Sequence, residues 1–131
     1  MSEDLEARFK RESLTFGVIG LGYVGLPLAV EAAKSGIRVL GFDVKAGVID
    51  GLNAGVSHIQ DLTDEEVGRE VRGGRLEAAA DMSRLAECDA ISICVPTPLS
   101  KTRDPDISFI FSATAAVARV LRPGQLIVLE S

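Results

Sequence analysis

Several residue types are scarce in this chain, and each shortage excludes a kind of chemistry. There is one histidine and there are two cysteines, too few for a histidine-based metal centre and wrongly spaced for a metal knuckle or a CxxC redox pair. Cys94 lies inside the apolar run Ala90 to Val95 and is expected to be a buried small hydrophobe, while Cys88 precedes that run in Glu87-Cys88-Asp89. Neither is assigned a catalytic role, and no metal site is expected. His58 sits among loop formers, Gly55 to Asp61, and is expected to be solvated. Basic residues number 14 against 19 acidic ones, for a net charge of −5, and they form no cluster, which argues against nucleic acid as a partner. No apolar run approaches the length that spans a bilayer. Met1 to Glu12 carries both signs of charge and no apolar signal region, so export is not expected and the cytosol is the default location.

What is present suits one soluble domain. The 131 residues are 47% hydrophobic and 25% charged, enough apolar material for a core with an ordinary charged surface. Gly20-Leu21-Gly22-Tyr23-Val24-Gly25 carries the most information because of its neighbours. The apolar run Leu14 to Ile19 leads in, a helical pattern from Val24 to Lys34 leads out, and Asp43 ends the next apolar run, Ile37 to Phe42. Strand, glycine turn, helix, strand and acid in that order form the dinucleotide-binding fingerprint. Gly20 permits the tight turn, Gly22 offers no Cβ to block a pyrophosphate, and Gly25 lets the helix lie close on the sheet. The amides of the first helical turn then face the phosphates with the positive end of the macrodipole behind them. A carboxylate at Asp43 accepts hydrogen bonds from ribose hydroxyls and repels a 2′-phosphate, so NAD is expected rather than NADP, although Lys45 two residues on weakens that preference. The competing reading of Asp43 is a cap for the helix that follows.

Along the helix, Val24, Leu28 and Ala32 make one row, and Gly25, Ala29 and Ala33 a second row of small residues. Pro27 is tolerated in the first turn and Gly36 is placed to stop the helix. The rest of the chain alternates strand and helix. A helix is expected over Ala46 to Asn53. Thr63-Asp64-Glu65-Glu66 is a capping box opening a polar helix that Gly73-Gly74 ends. Glu65 and Arg69 stand at i, i+4 on its solvated face. Arg75 to Ala80 is a short strand, Met82 to Glu87 a helical turn, and Ala90 to Val95 a central strand. After a proline-rich loop, Pro96 to Asp106, Ser108 opens a helix with Ile110, Ala113, Val117 and Leu121 on one side, and Leu126 to Leu129 is the last strand. The expected fold is α/β: a Rossmann-type open parallel sheet with helices on both faces and strand order 3-2-1-4-5. Residues 1–13 read as a polar arm, and residues 14–131 as the NAD-binding domain. Because the chain stops at a strand tip that should border the crevice, it reads as the N-terminal piece of a longer protein.

Ligands of such sheets bind beyond the carboxyl ends of the strands, at the switch point between strands one and four. Strand four ends in Cys94-Val95-Pro96-Thr97-Pro98-Leu99, where two prolines hold the backbone extended and aim the Thr97 hydroxyl. Strand five ends in Glu130-Ser131, which puts a carboxylate nearby.

Gly20 to Ala29, Cys94 to Leu99 with Lys101-Thr102-Arg103-Asp104-Pro105-Asp106 after it, and Gly124 to Ser131 together resemble the UDP-glucose/GDP-mannose dehydrogenases, most closely the branch that oxidises UDP-N-acetylhexosamines. The resemblance runs from about Thr15 to Ser131. It implies oxidation of a sugar-nucleotide C6 alcohol to the carboxylate with two NAD⁺, through an enzyme-bound thiohemiacetal and thioester. On matching positions it implies that Gly20, Gly22, Tyr23, Val24 and Gly25 bind the pyrophosphate and Asp43 the ribose, with Lys45 near the adenosine. Val95, Pro96 and Thr97 would line the nicotinamide side, with Ser131 among the cofactor contacts. Thr97 and Glu130 would be catalytic, orienting or activating the water that hydrolyses the thioester. The family's nucleophilic cysteine and most sugar contacts belong to a later domain, so this piece is expected to bind NAD without turning over a UDP-sugar, and its parent to be a homo-oligomer. The alternatives are an NAD-sensing regulatory module and another sugar or hydroxy-acid dehydrogenase.

Overall fold

The computed structural model describes residues 14–96 and 107–130. Thr97, the Lys101 to Asp106 stretch, Ser131 and the arm over residues 1–13 lie outside the described residues.

Five parallel strands form one sheet in the order β3-β2-β1-β4-β5. The strands are β1 (Thr15–Ile19), β2 (Arg38–Phe42), β3 (Leu76–Ala79), β4 (Ala90–Ile93) and β5 (Leu126–Leu129). The helices are α1 (Gly25–Lys34), α2 (Ala46–Asn53), α3 (Asp64–Arg72) and α4 (Ser108–Val120), with a 3₁₀ turn over Met82–Glu87. This is the expected Rossmann-type order. Phe16 is in register with Val39 on one side and Ala90 on the other, which makes β1 the centre of the sheet.

Alternation along the strands divides the core in two. Val18 and Val39 face a layer built from Leu26, Ala29, Val30 and Ala33 of α1, Ile49 and Leu52 of α2, and Val67 of α3. Ile19, Leu40, Phe42, Ile91 and Ile93 face the opposite layer, made by Leu85 and Cys88 of the 3₁₀ segment and its end and by Ala113, Ala116 and Val117 of α4. Residues two apart share a face of a strand, so β1 and β2 each feed both layers and read as continuous apolar runs. The helix layer changes face between β1 and β4, and that change opens a crevice at the strand tips.

The helix ends follow local chemistry. Thr63 accepts from the Glu66 amide at 3.1 Å while Glu66 accepts from the Thr63 amide at 2.9 Å, which completes the capping box of α3. At the end of α1, the Gly36 amide donates to Ala33 and the Ile37 amide to Ala32, a Schellman closure with Gly36 at φ +96°. Glu65 and Arg69 are both exposed, as the polar face requires. Glu70 of the same helix is buried, however, and meets Arg75 Nε at 3.0 Å.

The structure chooses between the two rows of α1 and corrects two other expectations. The buried row of α1 is Gly25, Ala29 and Ala33 with Leu26 and Val30; Val24, at the N-cap, is 57% exposed, and Leu28 and Ala32 are only half-buried. The small-residue row faces the sheet because the helix sits too close for large side chains there. On α4, Leu121 is 60% exposed, because the chain leaves the helix at Val120 and Leu121 turns to an extended conformation. Of the two cysteines, Cys88 is fully buried and Cys94 only half-buried, because Cys94 follows the last β4 residue and stands at the crevice.

Candidate functional site

The glycine turn is held from below, from both sides and by its own packing. The Gly20 amide donates to the Phe42 carbonyl at 2.8 Å, tying the turn to the tip of β2. Gly20 takes φ +95°, and a Cβ there would stand 2.7 Å from the Cys94 carbonyl oxygen, so conformation and space both require glycine. The buried Leu21 side chain is directed inward and packs on Gly41 of β2, where an added Cβ would lie 2.8 Å from it. A Cβ at Gly25 would be 1.7 Å from the Gly20 carbonyl oxygen and 3.3 Å from Cys94 Cβ. The close approach made by Gly25 is therefore to the turn and the β4 tip. At Gly22 an added Cβ would meet nothing within 4 Å, since that position opens onto the crevice.

These contacts leave a cradle of donors. The Leu26 amide donates to Gly22 and the Leu28 amide to Val24. Among the described residues the amides of Gly22, Tyr23 and Val24 have no protein acceptor. Three free N–H groups at the start of α1, with the helix dipole behind them, suit an anionic diphosphate.

Asp43 stands just beyond β2. One carboxylate oxygen accepts from the Leu21 amide at 2.9 Å and the other from the Lys45 amide at 3.0 Å. The carboxylate thus braces the turn and shapes the entry to α2, whose N-cap is Lys45. It also lines the crevice, where its remaining lone pairs are available to hydroxyl groups. Asp43 faces the crevice but does not cap α2: it holds only the amide of Lys45, the N-cap residue, and no amide of the first helical turn.

The crevice has a volume of about 570 Å³. Gly20, Gly22, Tyr23, Val24, Asp43, Lys45, Val95, Pro96 and Glu130 all line it, so every described residue assigned to the site from sequence, apart from Gly25 beneath the turn, reaches the same cavity. Thr97 and Ser131 lie outside the described residues. Val44, Val48, Ile59 and Met82 add an apolar wall that the sequence analysis did not single out. Glu130 is fixed by its backbone, its amide donating to the Ile93 carbonyl at 2.8 Å.

His58 is exposed, as expected, but its ring is not free of the protein. Its Nε2 donates to the Leu21 carbonyl, and the ring lines the crevice. The loop carrying it is tied down on both sides: the Ser57 amide donates to Asp64 at 2.8 Å and Ile59 is buried in the core. Nothing in the local sequence marks this, because its partner lies 37 positions earlier. Both cysteine thiols are shifted away from the thiolate form. Burial pushes the Cys88 thiol up to about 12, and burial, with the nearby Glu130 carboxylate adding to it, raises that of Cys94.

The residues fit a dinucleotide: free backbone donors, a carboxylate able to accept from hydroxyls and an apolar wall meet in one crevice, with glycine where a Cβ would obstruct. Comparison with known proteins agrees. The model of the UDP-glucose/GDP-mannose dehydrogenase family, NAD binding domain, matches residues 14–131. A UDP-N-acetyl-D-mannosamine dehydrogenase from Yersinia pestis is 42% identical over 119 residues, covering 89% of this chain and 27% of that protein. A UDP-N-acetyl-D-glucosamine 6-dehydrogenase from Salmonella typhi is 40% identical, covering 94% of this chain and 28% of that protein. The solved structure of a UDP-D-ManNAc dehydrogenase from Pyrococcus horikoshii superposes with a TM-score of 0.84 at 38% identity, over 90% of this chain and 28% of that one. The chain thus spans little more than a quarter of the length of these relatives, the part that carries the glycine turn and the crevice, and it belongs to the UDP-glucose/GDP-mannose dehydrogenase family as its NAD-binding domain.

Proposed function

We propose that this chain is the cofactor-binding part of a longer nucleotide-sugar 6-dehydrogenase, one that oxidises the C6 alcohol of a UDP-N-acetylhexosamine or UDP-glucose to the carboxylate with two NAD⁺. The observation that carries the proposal is the meeting, in one crevice, of the free amides of Gly22, Tyr23 and Val24 with the carboxylates of Asp43 and Glu130. The first three hold the diphosphate, and Asp43 accepts from the ribose hydroxyls. Lys45 stands beside the adenosine, Val95 and Pro96 line the nicotinamide side, and Ser131 is assigned to the cofactor contacts by its match to the family. NAD⁺, when bound, supplies the hydride acceptor. Glu130, working with Thr97, orients and deprotonates the water that releases the uronate, which is general-base work.

The nucleophile that carries the substrate comes from a part of the protein beyond this chain. In support, Cys88 is sealed in the core and burial raises the Cys94 thiol above its ordinary range. Most contacts to the sugar come from that part too. A cytoplasmic, homo-oligomeric parent making uronates for polysaccharide biosynthesis completes the reading. Among the described residues no helix is long and apolar enough to cross a membrane.

Calorimetry of the chain with NAD⁺ and NADP⁺ is the direct test. Binding is expected with NAD⁺, weaker binding with NADP⁺, and no NADH formation from any UDP-sugar until the following part of the parent is restored. Absence of heat at millimolar NAD⁺, or a restored parent that oxidises no UDP-sugar, would end the proposal.

A further inference from the structure

Both peptide planes at the head of the glycine turn are held by side chains from elsewhere in the fold. The Gly20–Leu21 plane is held through its N–H, which donates to Asp43 at 2.9 Å. The Leu21–Gly22 plane is held through its carbonyl, which accepts from His58 Nε2. The second bond concerns the cofactor directly, because the Leu21 carbonyl and the Gly22 N–H belong to one peptide unit. No peptide bond in the described chain is cis, so the two groups point to opposite sides of that unit. The Gly22 carbonyl is held by the Leu26 amide, but with no Cβ and open space around it no side chain resists rotation on the N-terminal side of Gly22. Without a partner for the Leu21 carbonyl, a flip of this plane costs little; it would remove one of the three free donors from the cradle and turn a carbonyl dipole towards the diphosphate.

We propose that His58 is a positioning residue for the cofactor, a clamp that fixes the Leu21–Gly22 peptide plane so that the Gly22 amide stays available to a diphosphate. The inference rests on the NAD-binding reading of this crevice. Because a carbonyl only accepts, the proton resides on Nε2 in the neutral ring. Donation to the carbonyl also polarises the peptide unit and strengthens its N–H as a donor. Ser57, tied to Asp64, and the buried Ile59 fix the loop on either side, so the imidazole is presented from a rigid support.

The test compares His58→Phe, which keeps a ring and removes the donor, with His58→Gln, which keeps an N–H at nearly the same reach. Affinities for NAD⁺ and ADP-ribose are measured by calorimetry, and the Gly22 amide resonance is followed in the ¹⁵N-labelled chain without ligand. His58→Phe is expected to weaken both ligands by about threefold to tenfold, the range of one net hydrogen bond. It should also shift the Gly22 amide resonance, with the melting temperature nearly unchanged, while His58→Gln restores affinity and resonance together. If His58→Phe does not fold, His58→Asn, whose shorter side chain cannot reach the carbonyl, takes its place. Wild-type affinity in the donorless variant, or an unmoved Gly22 resonance, overturns the clamp. A wild-type chain that binds no NAD⁺ overturns the reading of the crevice instead, and the Gly22 resonance still decides the clamp.

Discussion

At the scale of single residues, the turn works because a few positions carry two duties. Asp43 braces the Leu21 amide and borders the crevice with the same carboxylate. An amide in its place accepts with one end only and sets an NH₂ against a backbone donor. Asp43→Asn should therefore weaken NAD⁺ binding by about tenfold and cost about 1–2 kcal/mol of stability, read by calorimetry and chemical denaturation. Cys88 has a different consequence. Its thiol titrates near 9 in the unfolded chain and is pushed up to about 12 by burial. Above pH 9 the unfolded state loses this proton while the folded state keeps it, so the stabilisation present below pH 9 is lost as pH rises towards 12. The slope approaches about 1.4 kcal/mol per pH unit. Denaturation midpoints of wild type and Cys88→Ala should converge across that window, and parallel profiles would contradict the assignment. The three glycines and Asp43 were legible in the sequence because their requirement is local: a turn, a gap, a strand tip. His58 was not, because its partner is reached only after α2 folds the chain back over the turn.

At the scale of elements, caps and stops followed the sequence closely, while the choice of buried face did not always. The capping box at Thr63 needs only four consecutive residues, and both of its bonds form. The Thr63 amide, helped by Lys34 at 3.5 Å, holds the Glu66 carboxyl below its ordinary range. Thr63→Ala should cost about 1 kcal/mol, seen as a lower melting temperature with NAD⁺ affinity unchanged, since α3 lies away from the crevice lining. On α1, periodicity offered two candidate rows, Val24-Leu28-Ala32 and Gly25-Ala29-Ala33. The deciding fact is the 1.7 Å approach that a Gly25 Cβ would make to the Gly20 carbonyl oxygen. That close seat puts the row of small residues against the sheet, and it is a property of the packed pair, invisible in the helix alone.

At the scale of the whole molecule, the sheet has one face and edge that stand out. β5 ends the strand order, and Leu126, Val128 and Leu129 are exposed on it, with Phe111 exposed on α4. Among the described residues no strand pairs with the outer edge of β5, and an exposed apolar edge invites pairing with another chain. Sedimentation of the chain alone should show self-association as concentration rises, and Val128→Lys should suppress it while leaving NAD⁺ binding intact. Equal association in both would place the contact elsewhere. The sequence by itself determined the order of strands and helices, their caps, the crossing point of the sheet and the family, because hydrophobic period, turn residues and a short glycine motif are encoded within a few residues of one another. Only the tertiary structure decided which row of α1 is buried, that Cys94 borders the crevice while Cys88 is sealed, that Asp43 serves the turn as well as the rim, and that His58 grips the Leu21 carbonyl. Each of these depends on the distance between segments remote in the chain, and that distance exists only once the layers have packed.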